Sequence, residues 1–119
     1  MKAEKGLSSR HCKPCHGETE PVPLSEAEAK LTSLRGWKLT DGGKAIRREW
    51  TVKDFAEGMQ FLNRVAEIAE EEDHHPDLCL ENYRDVAIVL STHAIRGLSD
   101  NDFIMAAKID ELPVELWRR

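Results

Sequence analysis

The residues best suited to chemistry lie in one stretch, residues 70–102. It holds three of the chain's five histidines, His74, His75 and His93, beside the carboxylates of Glu70, Glu71, Glu72 and Asp73. Histidine is the side chain whose unperturbed pKa, ~6.5, lies nearest neutrality, so three in one motif point to proton transfer or metal binding. An acid and a base held close together are what an elimination of water requires. Three imidazoles would also suit zinc or iron, although the adjacent His74 and His75 make that geometry awkward. The structural alternatives are a helix C-cap for His74 or His75 and a hydrogen-bonded core residue for His93. Asp102 reads more readily as a capping carboxylate than as a catalytic group.

The elements that must position these residues follow from periodicity. Ser25-Glu26-Ala27-Glu28 has the form of a capping box, and Ala27, Leu31 and Leu34 make one apolar stripe, so a short helix is expected before Gly36. Residues 37–40 and 44–52 read as strands around the turn Asp41-Gly42-Gly43, with Ile46, Trp50 and Val52 on one face and Arg48 interrupting it. From Asp54 the period changes to about 3.6, with Phe55, Met59, Leu62, Val65, Ala66 and Ala69 as the stripe of a long helix. Pro76 must end it, because proline lacks a backbone donor and disfavours helix in the residue before it. Residues 78–83 and 86–92 read as two further strands, the second apolar on both faces, as in a central strand. Ser99 and Asp102 cap a last helix that runs to about Glu111, with Ile104, Ala107 and Leu112 inward and Pro113 beyond it. The order α-β-β-α-β-β-α predicts an α+β domain: a four-stranded antiparallel sheet with three helices on one face. His74 and His75 then leave the end of the long helix and His93 the end of a core strand, so the fold can bring them together. The helix C-terminus and the carboxylates of Glu70 and Asp73 would favour an imidazolium there.

The 119 residues suit one domain, spanning 24–113, with short segments 1–23 and 114–119 outside it. A net charge of -5 without clustered Lys and Arg argues against a nucleic-acid surface. The longest mainly apolar run, residues 86–90, is far short of a membrane helix. Three cysteines without a disulfide framework, and a polar first twenty residues, predict a cytoplasmic protein. Residues 1–23 carry Gly and Pro with few large apolar groups and read as a flexible tail. The run His11-Cys12-Lys13-Pro14-Cys15-His16 within it has ligand chemistry for zinc, and its C-x-x-C could be a redox dithiol. Each histidine abuts its cysteine and no second C-x-x-C follows, so the run is expected to lie away from the site.

The sequence resembles the pterin-4a-carbinolamine dehydratase family. The likeness is carried by Asp73-His74-His75-Pro76, Tyr83, Leu90-Ser91-Thr92-His93, Gly97-Leu98-Ser99 and Asp102, and more weakly by Gly36-Trp37 and Lys53-Asp54-Phe55. It implies the α+β fold above and dehydration of a 4a-hydroxytetrahydropterin to the quinonoid dihydropterin, with no metal and no organic cofactor. His74 and His93 would assist as acids on two sides of the pocket, and His75 would act as base or position the ring. Glu70 and Asp73 would orient imidazole or ring N–H groups, while Pro76, Ser91 and Thr92 would line the pocket with Trp37 packed beside it. The resemblance also implies service to pterin recycling for aromatic amino acid hydroxylases. Many members carry aromatics where this chain has Leu78-Cys79, and a basic residue where it has Asn101.

One sheet face covered by helices leaves edges open, so a homodimer or homotetramer is expected. The alternative function is a non-catalytic one on the same fold, since relatives serve as a dimerisation cofactor of a homeodomain transcription factor or as a RuBisCO assembly factor. Retention of all three histidines counts against a purely structural protein.

Overall fold

The structure is a computed structural model and describes residues 2–14 and 19–119. After a 3₁₀ segment at Lys2–Ser9 come α1 (Leu24–Leu31), β1 (Lys38–Thr40), β2 (Ala45–Thr51), α2 (Phe55–Glu72), β3 (Asp77–Glu81), β4 (Asp85–Leu90) and α3 (Asp100–Asp110). The strands form one antiparallel sheet in the order β1-β2-β4-β3, so the two hairpins join through their second strands. This is the expected α+β architecture. In the central pair Ile46 lies opposite Leu90, Arg48 opposite Ile88 and Trp50 opposite Val86. Except for Arg48, these side chains form the core floor, and Ala27 of α1, Phe61 and Val65 of α2 and Phe103 and Met105 of α3 cover it.

Arg48, the interruption in the β2 alternation, has a reason. Its guanidinium lies 4.6 Å from the centroid of the Trp50 ring and donates to Asp110 Oδ1 at 2.6 Å, so the charge is stacked and paired rather than buried alone.

Two local readings are corrected. No capping box forms at Ser25: α1 begins at Leu24, Pro23 is its N-cap, and no side chain caps it. The stripe of α2 is also turned from the expected phase. Glu57, Gly58, Phe61, Val65, Ala69 and Glu72 are its buried residues, whereas Phe55 and Met59 are exposed. Gly58 sets that phase, because a Cβ there would stand 3.1 Å from Leu80 Cδ1 and 3.4 Å from Val52 Cγ2. The missing side chain lets the helix approach the sheet closely, and the contact selects which face turns inward.

α3 is buried nearly all round, through Phe103, Ile104, Met105, Ala106 and Ile109. A helix apolar on every side needs cover on every side. Part of that cover is the N-terminal segment: Leu7 is buried, Ser8 Oγ donates to Glu111 at 2.6 Å, and Lys108 Nζ donates to the Ser8 carbonyl at 2.8 Å. At the other end of the chain the Lys53 and Trp117 amides donate to the Glu115 and Thr51 carbonyls, so residues 115–117 run beside residues 51–53.

Candidate active site

Asp54 caps the start of α2 by accepting from the Glu57 amide at 2.9 Å. At the other end Asp73 takes the left-handed conformation, φ 54° and ψ 42°, and the Asp73 and His74 amides both donate to the Ala69 carbonyl. Aspartate is among the few residues that adopt this geometry readily. The chain is thereby swung out of the helix one residue before the paired histidines.

From the other side, β4 ends at Leu90, and His93 opens a 3₁₀ turn, His93–Ile95. The Thr92 and Gly97 backbones bond to one another across that turn. Ser99 then caps α3, completing the capping box expected with Asp102.

Asp102 does more than cap. It is fully buried, and its Oδ2 accepts from the Ser99 amide at 2.9 Å and from the Thr92 hydroxyl at 2.7 Å, while Oδ1 lies 2.7 Å from His74 Nε2. Thr92 gives its only hydroxyl proton to Asp102, so the Ser99 hydroxyl donates to Thr92 Oγ1 at 2.7 Å. A carboxylate can only accept, so the His74 proton facing it sits on Nε2 and leaves Nδ1 for other chemistry. His75 is held through Nε2 by Glu70 at 2.8 Å in a much more exposed pair. His93 is exposed, and its ring has no hydrogen-bond partner among the described residues.

These groups meet at a cleft of about 360 Å³. His74, His75, Asp73, Ser91, Thr92 and His93 all line it, as do Glu72, Ala94, Asn101 and three residues of the N-terminal segment, Cys12, Lys13 and Pro14. The volume falls in the range of small-molecule sites, roughly 300–1,000 Å³. Among the described residues no group of three or more His, Cys, Asp or Glu side chains is placed to hold a metal ion.

Other residues expected at the site lie elsewhere. Trp37 is buried against Trp50, with ring centroids 5.9 Å apart, and its indole N–H donates to Asp110 at 2.8 Å. Asp110 is the last residue of α3, whereas the cleft adjoins its first turn, roughly 12 Å away at 1.5 Å per residue. Glu70 and Pro76 flank the histidines without lining the cleft, and Glu70 acts through His75. The N-terminal run was expected away from the site, yet Cys12, Lys13 and Pro14 form part of its wall; Cys15 and His16 lie outside the described residues. No local signal could have shown this, because the contacts join Cys12 to Glu72 and Lys13 to Asn101 across 60 and 88 positions.

Residues 20–112 match the model of the family described as Pterin 4 alpha carbinolamine dehydratase. The chain belongs to this family. A mitochondrial member in Arabidopsis thaliana, named pterin-4-alpha-carbinolamine dehydratase 2, is 45% identical over 112 residues, and the match spans 92% of this chain and 60% of that one. A bacterial member from Aromatoleum aromaticum, whose name carries the same activity, is 43% identical over 106 residues, spanning 89% of this chain and 94% of its own length. Among solved structures, a transcriptional coactivator/pterin dehydratase from Brucella melitensis superposes with a TM-score of 0.70 at 36% identity, covering 76% of this chain and 95% of that one. A pterin dehydratase-like RuBisCO assembly factor of the α-carboxysome shares the fold at 21% identity and a TM-score of 0.54, over 64% of this chain and 87% of its own. Among the described residues no helix is long and apolar enough to cross a membrane.

Proposed function

We propose that this protein dehydrates a 4a-hydroxytetrahydropterin to the quinonoid dihydropterin and water. The observation that carries the reading is the convergence of His74, His75 and His93 on one cleft, with His74 fixed by the buried carboxylate of Asp102. Loss of water from a carbinolamine needs little else. The N5 lone pair expels the 4a-hydroxyl, the departing oxygen takes a proton, and N5 gives one up, so proton donor and acceptor end in balance.

His74 and His93 assist the leaving oxygen from two sides. In its protonated form His74, held through Nε2–H by Asp102, presents Nδ1–H to the leaving oxygen, and His93, whose ring has no hydrogen-bond partner among the described residues, turns to it from the other side. His75, steadied by Glu70, receives the N5 proton. Asp73, Ser91 and Thr92 line the pocket, and Thr92 also braces Asp102.

Such a carbinolamine arises when a pterin-dependent hydroxylase transfers one oxygen atom to its substrate, so the enzyme serves pterin recycling for aromatic amino acid hydroxylation. A shared metabolite is sufficient coupling. Self-association as a homodimer or homotetramer belongs to the same proposal: β3 is an open sheet edge bearing the exposed Leu78.

The test is the rate of quinonoid dihydropterin formation from carbinolamine generated in situ, with and without the protein, after exhaustive chelation. His93→Ala should lower kcat about 10²–10⁴-fold, as loss of a general acid does. No acceleration over the spontaneous rate by the unsubstituted chain would end this reading.

A further inference from the structure

Residues 11–14 are fastened to the domain at two points, and each adjoins one member of the His74–Asp102 pair. Glu72, two residues before His74, accepts from the Cys12 amide at 2.7 Å and from His11 Nδ1 at 2.8 Å. Asn101, the residue before Asp102, pairs with both sides of the Lys13 residue: Oδ1 accepts from its amide at 2.9 Å and Nδ2 donates to its carbonyl at 2.6 Å. These are specific attachments. Asn101 is buried, and the Glu72 side chain is only 2% exposed.

Glu72 would be an unfavourable carboxylate without this segment. Burial works against its ionised form, and the C-terminal end of α2 adds a partial negative charge. The Cys12 amide, His11 and Lys108 outweigh that penalty and hold its pKa below the ordinary value. Were residues 11–12 to leave, the partner remaining to its carboxylate among the described residues would be the Lys108 ammonium at 3.6 Å. The docked position is therefore the one that satisfies a buried charge.

What this segment presents to the cleft follows from what it has already used. The Cys12 amide is engaged by Glu72, the Lys13 amide and carbonyl by Asn101, and Pro14 has no amide proton. Cys12, Lys13 and Pro14 nonetheless line the same cleft as the three histidines. With its amide donors spent or absent, this stretch of backbone offers the cleft shape and exclusion of water rather than N–H groups.

We propose that residues 12–14 form a wall of the substrate site in direct contact with the bound pterin, and that Glu72 and Asn101 are positioning residues acting through that wall. The inference rests on the dehydratase reading above. Because the wall binds without touching the reacting atoms, its loss acts on KM.

Two measurements on the full chain test it. In the turnover assay, Asn101→Ala and Glu72→Ala should each raise KM about tenfold with kcat within about twofold of the unsubstituted chain. Glu72→Gln, which retains one acceptor for the Cys12 amide, should fall between. In a chain carrying Cys15→Ser and Cys79→Ser, kept reduced, 7,8-dihydrobiopterin should slow alkylation of Cys12 at least fivefold. KM within twofold in both alanine variants, or alkylation unslowed up to the solubility limit of the dihydropterin, overturns the wall. Shielding of Cys12 without turnover by the unsubstituted chain would support the wall while removing the dehydratase reading, so the two failures are distinguishable.

Discussion

The most exacting consequence of the site is the effect of Asp102→Asn. The two side chains are nearly isosteric, but an amide has one acceptor oxygen where the carboxylate has two. Asp102 uses both: Oδ2 serves Ser99 N–H and the Thr92 hydroxyl, and Oδ1 serves His74. The amide keeps its oxygen toward the two donors and turns its NH₂ group to His74 Nε2. His74 must then accept at Nε2 and carry its proton on Nδ1, the opposite tautomer. The charge-assisted bond given up is worth roughly 1.5–3 kcal/mol, which at 1.4 kcal/mol per decade predicts a fall in kcat of about 10- to 150-fold. Stability should fall less, by about 1–2 kcal/mol or roughly 4–8 °C of Tm, because two of the three bonds survive and a buried charge is removed. The assay pairs kcat with nitrogen-15 imidazole shifts, which report the tautomer, and with circular dichroism to show the fold. A folded Asn variant with kcat within twofold of the unsubstituted chain would refute the reasoning. So would one in which His74 keeps its proton on Nε2.

Trp37→Phe should leave kcat and KM within about twofold while lowering stability by about 2–3 kcal/mol, through the lost bond to Asp110 and the space left beside Trp50. A tenfold rise in KM would instead put this residue against the substrate. Glu72 should shape the acid dependence of stability. Its pKa is lowered in the folded protein, so the unfolded chain binds the proton more readily; the stability it contributes is complete above the ordinary glutamate pKa, ~4.3, and is lost as pH falls through the lowered folded value. Tm measured from pH 6 to pH 3 should therefore fall more steeply for the unsubstituted chain than for Glu72→Gln, and parallel curves would contradict the assignment.

Much of the molecule was legible in the residues themselves, and the reason is that the relevant physics is local. The change from alternation in β2 to a helical period after Asp54, the stop before Pro76 and the Ser99 cap of α3 each depend on neighbours a few positions apart. Together they determine the order of elements and place His74, His75 and His93 at element ends that can meet. Only the tertiary structure decided what depends on contacts between distant residues. Close approach of Gly58 to Leu80 and Val52 chose the face of α2 that turns inward. The bond to Asp110 carried Trp37 away from the cleft, and the contacts of Cys12 with Glu72 and Lys13 with Asn101 brought a polar, proline-containing segment into its wall. Asp102 shows both levels in one side chain: its role as a cap is written in the spacing from Ser99, whereas its hold on His74 exists only because the end of α2 lies beside the start of α3.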